Sequence, residues 1–350
     1  MIPELSTIIA GAVRAIRAPD REIAAAADRR QRQLTKPPGS LGRLEALASQ
    51  VCAVQRTLAP SVARRAVVVF AADHGVAHEG ISAYPREVTA QMVANFVAGG
   101  AAICALSRAA GAALIVVDVG VATPCPGVVA RRIRAGTDNF ARGPAMTRDE
   151  AQRAIEVGIA VVGELDADLV GVGEMGIGNT TSAAAIAAAL CGLPATAVTG
   201  TGTGIDQATL ARKRAVVDAA LAAHRPDPQD AVGVLAAVGG LEIAAIAGAC
   251  LGAAARGKLV VLDGFISTAG GALAAVLAPA VVGSLIAAHR SVECGHIALL
   301  DHLELTPLLE LELRLGEATG AALAMPLIGG AVAAFREMAT FASAGVADRS

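Results

Sequence analysis

The chain has 350 residues, enough for about two domains and a sizeable core. Hydrophobic residues make up 54% and charged residues 17%, which excludes intrinsic disorder. Aromatics at 2% and a net charge of −2 exclude a stacking platform for single strands and a basic field that draws in phosphate polymers.

The first elements read as helices. Glu4 precedes the first apolar stretch and no basic segment leads it, so a signal peptide is not expected. Leu5 to Ile16 is apolar-periodic, and Asp20 can cap a second helix, Arg21 to Leu34. The prolines of KPPGSLGRLE stop that helix, and Ser40 can cap the next, up to about Thr57. From Ala66, six short apolar runs alternate with Ala-rich helical stretches: AVVVFAAD, ALIVVDVG, DLVGVGEMG, ATAVTGTGTG (from Ala195), KLVVLDG and AVVGSLIAAH. None alternates polar with apolar, which predicts a parallel sheet of about six strands buried on both faces by helices. Most run into Gly, Asp or His, at the ends that line the crevice of a doubly wound sheet.

Thr147-x-x-Glu150 is a capping box for the helix to Leu165. Asn179 or Thr180 can cap the helix into Ala184–Leu190, and Asp206 the helix through Lys213 to Ala223. After about Asp301 the chain reads as helical again, through LLELELRLGEATGAALAMPL to about Phe341. Mean hydropathy is high, at +0.57. The most apolar window, Gly271 to Ala288, is rich in Ala and Gly and broken by Pro279 and Ser284, so it predicts a buried helix and strand rather than a membrane span.

Six cysteines are scattered without a C-x-x-C, which suits free thiols in the cytoplasm. Cys294 and His296 alone are too few ligands for a metal. Of 29 basic residues only Lys36, Lys213 and Lys258 are lysines, which marks each for a specific task.

Several segments carry chemistry. GVGEMGIGNTT contains G-x-G-x-x-G at Gly171, Gly173 and Gly176, the form of a dinucleotide turn. The acid expected about 20 residues on is missing, and Glu174 would repel a pyrophosphate. One phosphate bound at the helix N-terminus fits better; an ordinary Gly-rich turn is the competing reading. TGTGTGID is a second Gly-rich turn, and Lys213, two turns into its helix, either reaches back to a phosphate or lies in solvent. Asp73-His74 is either catalytic or a pair that orders a turn. Ser82, Tyr84 and Gln91 suit recognition of a flat heteroaromatic ring. Glu317, in RLGEATGA, has apolar neighbours that raise carboxylate basicity; a surface Glu is the alternative.

KPPGSLGRLE, FAADHGV, GISAYPREVTAQMV, GEMGIGNTT, GTGID, VLDGFI, HRSVECGH and RLGEATGAALAMPL, in this order, resemble the nicotinate-nucleotide–dimethylbenzimidazole phosphoribosyltransferase family, from about Lys36 to about Phe341. The resemblance implies transfer of ribose 5-phosphate from nicotinate mononucleotide to 5,6-dimethylbenzimidazole with inversion, giving α-ribazole 5′-phosphate and nicotinate in cobalamin nucleotide-loop assembly. It implies a homodimer without metal or cofactor and with no nucleic-acid or membrane partner. It also implies a Rossmann-like large domain, 61–304, and a small helical domain from both termini, 1–60 with 305–350. Carried over by motif, Glu317 is the base and Glu174 supports positive charge at the ribose. Gly176, Asn179, Thr180, Gly202, Thr203, Lys213 and Ser291 hold the phosphate and nucleotide. Ser82, Tyr84, Gln91 and Leu315 line the base pocket. Thr201 stands where the family's turn often carries Arg. Other classes consistent with parts of the chain are an NAD-dependent oxidoreductase and a non-catalytic nucleotide-binding module.

Overall fold

The computed structural model describes residues 5–202 and 204–347. Six parallel strands, β1 (Arg65–Ala72), β2 (Ala112–Gly120), β3 (Val129–Ala130), β4 (Leu169–Met175), β5 (Leu259–Leu262) and β6 (Leu285–Ala287), form one sheet in the order β3-β2-β1-β4-β5-β6. The order reverses direction between β1 and β4, the point at which such sheets open a crevice at their carboxyl ends.

The period of two explains the unbroken apolar runs. Val68, Phe70, Val170, Val172, Val260 and Leu262 face a core shared with Ile155, Ile243 and Leu273. Their neighbours Val67, Val69, Leu169, Leu259 and Val261 face a second core with Val51, Ile103, Met325 and Ile328. Helices Arg21–Gln33, Arg43–Gln55 and Thr319–Glu337, from the two chain ends, pack together on this second face. They share its core with the sheet.

Several start signals act as read. Asp20 accepts from the N–H groups of Glu22 and Ile23, Thr147 and Glu150 close their capping box, and Asp206 accepts from Thr209 N–H. Others do not. Gly42, not Ser40, precedes Arg43–Gln55. Gly178, at φ +100°, occupies the cap position of helix Asn179–Cys191, because that entry bend suits glycine.

Two expectations are corrected. The run from Ala195 is not a strand. Pro194 opens a short helix, Ala195–Val198, and Gly200, Gly202 and Gly204 follow in a loop. Its apolar part is too short, and its glycines offer no side chains to pack on a sheet. The two-residue β3 is the strand missed. The segment 303–318 is not helical either: Leu308 and Leu309 N–H groups bond to Ala287 and Ala288 carbonyls, so it runs beside the end of β6. The alternation LELEL is the strand-like period that marks this path. Gly271–Ala288 does form a buried helix end, a 3₁₀ segment and β6.

By length and composition two stretches reach membrane-span criteria, Val88–Ala109 and Thr319–Glu337. The first is two helices, Val88–Val97 and Ala102–Ala109, and the second buries Ala321, Met325, Ile328 and Phe335 in the core.

Candidate active site

A cavity of about 370 Å³ opens at the carboxyl ends of β4, β5 and β6. Glu174, Gly176, Asn179, Thr180, Gly202, Lys213, Ser291, Ser82, Tyr84, Leu315 and Glu317 all line it. Segments up to 235 residues apart in sequence thus converge, from Ser82 to Glu317. Gln91 does not line it: Val88 and Met92 share the helix face turned to the cavity, and Gln91, about 100° from Met92, is exposed. Thr203 lies outside the described residues. Apolar walls come from Ile81, Val88, Met92, Met175, Ile177, Phe265 and Leu315.

The glycines of GVGEMG serve packing. A Cβ at Gly173 would lie 2.1 Å from Ala318 N, and one at Gly171 2.9 Å from the Met325 side chain. A Cβ at Gly176 would lie 2.4 Å from the Ala72 carbonyl oxygen. Gly171 and Gly173 therefore admit the segment carrying Glu317 against β4, which removes the case for a dinucleotide turn.

Lys213 sits on the buried stripe Leu210, Lys213, Val217, Ala220 of helix Gln207–His224. Its Nζ donates to Thr180 Oγ1 at 2.8 Å and to the Gly200 carbonyl at 3.3 Å. Burial pushes the ammonium down to about 8, against the nearby charge of Glu293. Lys213 is therefore not a solvated helix lysine. Lys36, by contrast, forms a buried ion pair with Glu45 at 2.7 Å and does not line the cavity.

The acids form a buried group. Glu174 accepts from Asn179 Nδ2, and burial, then the charges of Glu242 and Asp263, raise it well above the carboxylate range. Burial pushes Glu317 up to about 7, with the Ile103 N–H opposing; its Oε2 is unpartnered. Gly316, Glu317 and Ala318 have φ of +82°, +61° and +69°. Such a run of left-handed residues is costly and belongs to a turn held by its surroundings.

Residue reasoning missed Asp263, His289 and Glu293, which line the cavity, and weighed His296 only as a metal partner of Cys294. Glu293 Oε1 accepts from Gly202 N–H at 2.8 Å, beside Lys213. His296 Nδ1 accepts from Ser291 N–H at 3.0 Å, and Thr268 Oγ1 donates to the Gly264 carbonyl at 2.8 Å. His296 Nε2 must then donate to Thr268 Oγ1, at 2.9 Å. His296 is thus a neutral strut under Ser291 rather than a partner of Cys294. Asp73 and His74 do not face each other: Asp73 pairs with Arg86, while His74 bonds to Glu242 at 2.6 Å and Ser182 at 3.1 Å. No group of three or more His, Cys, Asp and Glu is arranged for a metal among the described residues, and all six cysteines are free.

One cavity at the carboxyl edge of a doubly wound sheet thus joins a Gly-rich turn and a buried lysine to an apolar slot and a carboxylate raised by burial, the setting in which α/β enzymes bind small substrates. The phosphoribosyltransferase profile matches residues 16–346. The nicotinate-nucleotide–dimethylbenzimidazole phosphoribosyltransferase of Chloroflexus aggregans is 55% identical over 94% of this chain and 95% of its own. That of Geobacter sulfurreducens is 53% identical over 98% and 99%. The crystal structure of the Thermus thermophilus protein of that name superposes with a TM-score of 0.89 at 49% identity, over 94% of this chain and all of the other. The chain belongs to the nicotinate-nucleotide–dimethylbenzimidazole phosphoribosyltransferase family, and it is an enzyme.

Proposed function

We propose that this enzyme transfers the 5-phosphoribosyl group of nicotinate mononucleotide to 5,6-dimethylbenzimidazole with inversion, yielding α-ribazole 5′-phosphate and nicotinate for the cobalamin nucleotide loop. The observation that carries this reading is one cavity joining Lys213, Gly202 and Thr180 to an apolar slot and to Glu317. The C1′–N bond to nicotinate breaks, and its electrons neutralise the cationic pyridinium. A benzimidazole nitrogen bonds to C1′ from the opposite face, and the N–H proton passes to Glu317. Lys213, Thr180 and the Gly176 and Gly202 turns hold the phosphate. Glu174, held above the carboxylate range, supports positive charge at the ribose with its carboxyl dipole, and the lining of Ile81, Ser82, Tyr84 and Leu315 orients the acceptor ring. The enzyme acts as a homodimer in the cytoplasm, where its six thiols stay reduced.

Incubation with nicotinate mononucleotide and a panel of bases, with products identified by mass, tests the reaction. The expected product joins the acceptor base to ribose phosphate. Nicotinate release without a new nucleotide would instead mark a hydrolase, and binding without release a non-catalytic module. Light scattering of the same sample reports the dimer.

The leaving group is a pyridinium that departs without protonation. Turnover is therefore expected to survive excess EDTA. Activity lost to the chelator and restored only by Mg²⁺ would refute this metal-free chemistry.

A further inference from the structure

Glu317 sits in a turn that a glutamate does not adopt unaided. Its φ is +61°, and Ala318 follows at +69°. Both carry a Cβ that opposes this conformation. The helix that follows, Thr319–Glu337, has Ala318 at its cap position and no side-chain cap of its own. Its first N–H groups need acceptors from elsewhere.

Asp263, the residue after β5, supplies them. Its Oδ2 accepts from Ala318 N–H at 3.1 Å. Its Oδ1 accepts from Gly320 N–H at 2.6 Å and Ala321 N–H at 3.2 Å. The Ala318 N–H belongs to the peptide that begins at the Glu317 carbonyl, so this bond fixes the plane on one side of Glu317. There is no slack around it. A Cβ at Gly173 would lie 2.1 Å from Ala318 N, and one at Gly320 would lie 2.9 Å from Asp263 Oδ1 and 2.1 Å from His289 Cδ2. Asp263 is 1% exposed, and its nearest cationic candidate, His289 Nε2, is 3.8 Å away. What holds the carboxylate is backbone N–H.

We infer that Asp263 is a positioning residue that holds the Gly316–Ala318 turn from the end of β5 and so aims Glu317 at the acceptor. The inference rests on Glu317 being the base. A carboxylate is required because both oxygens face donors. An Asn would turn its NH₂ either toward Ala318 N–H or toward the Gly320 and Ala321 N–H groups, donor against donor. Loss of the anion also removes a charge from the N-terminus of the helix.

The test is a double-mutant cycle in the full-length enzyme. Asp263→Asn is expected to lower kcat roughly tenfold to a hundredfold, with KM for nicotinate mononucleotide within about twofold of wild type. In the Glu317→Gln background the same change is expected to cost less than about twofold, because a misaimed base and an absent one are equivalent. Single-turnover measurement makes the low background rates readable. A loss that persists undiminished in the Glu317→Gln background, or a KM that rises in step with the fall in kcat, overturns the inference and leaves Asp263 a structural cap. So does an unchanged kcat in Asp263→Asn while Glu317→Gln collapses. Full turnover in Glu317→Gln is the separate failure, of the base assignment itself, and removes the inference with it. If Asp263→Asn does not fold, Asp263→Glu, which keeps the anion but displaces it, is carried through the same cycle with the same readings.

Discussion

Glu317→Gln is expected to lower kcat by about 10²–10⁴-fold while KM for either substrate changes little. Gln keeps the shape and the hydrogen bonds but cannot take a proton. That transfer accompanies bond formation to C1′, so its loss is felt in the transition state alone. Burial places Glu317 at about 7. The base must be ionised, so kcat/KM for wild type is expected to fall as pH drops through about 7, and the residual activity of Glu317→Gln should lack that limb. The same shift has a stability cost. A carboxylate raised in the fold favours the folded state when protonated, and that contribution is lost as pH rises through about 7. Glu317→Gln should therefore gain in thermal midpoint over wild type more at pH 8.5 than at pH 5. Glu174→Gln is expected to slow turnover less. Burial, then the charges of Glu242 and Asp263, hold Glu174 well above the carboxylate range, so it is the weaker candidate to take a proton. Burial brings both Glu317 and Asp263 to about 7, but both Asp263 oxygens are taken by backbone N–H groups, while Glu317 keeps an unpartnered oxygen for the proton. Near-wild-type kcat in Glu317→Gln with a collapse in Glu174→Gln would exchange the two roles.

What the sequence discloses here is what short-range physics controls. Runs such as AVVVFAA and LVVL become strands because their apolar side chains alternate between two covered faces, and the period shows this before any contact is known. Thr147 and Glu150 close their box within one helical turn. The run at Ala195 misleads because its apolar residues are few and its glycines pack nothing, so Pro194 decides its form. The LELEL segment misleads because its partner, the end of β6, arrives only in the fold. The site follows the same division. Glu317 and Lys213 are legible because each departs from its surroundings, a lone acid among apolar residues and a lysine in an arginine-biased chain. Asp263 and Glu293 carry no such mark. Asp263 meets its partners across 55 to 58 residues and Glu293 meets Gly202 across 91, distances over which no sequence period operates.

Lys213→Ala is expected to raise KM for nicotinate mononucleotide by about 10- to 150-fold with a smaller change in kcat. The phosphate is held alike in the ground and transition states, so its contact is a uniform binding term. One charge-assisted hydrogen bond contributes about 1.5–3 kcal/mol, which converts to that range. An ammonium has three N–H donors, and Nζ gives two, to Thr180 Oγ1 and the Gly200 carbonyl, leaving one for a phosphate oxygen. Thr201 adds no cation to this turn; the other cation there is Arg214, whose Nε donates to the Thr199 carbonyl at 3.4 Å. The lysine stem is buried, so truncation to Ala also opens a cavity; Lys213→Met fills the space without the charge and should raise KM equally while keeping the thermal midpoint closer to wild type. Burial brings the ammonium down to about 8, so in wild type the charge is lost as pH rises past that value. KM is accordingly expected to climb above about pH 8 in wild type and to stay flat in Lys213→Met. Wild-type KM in both variants would remove Lys213 from the phosphate site.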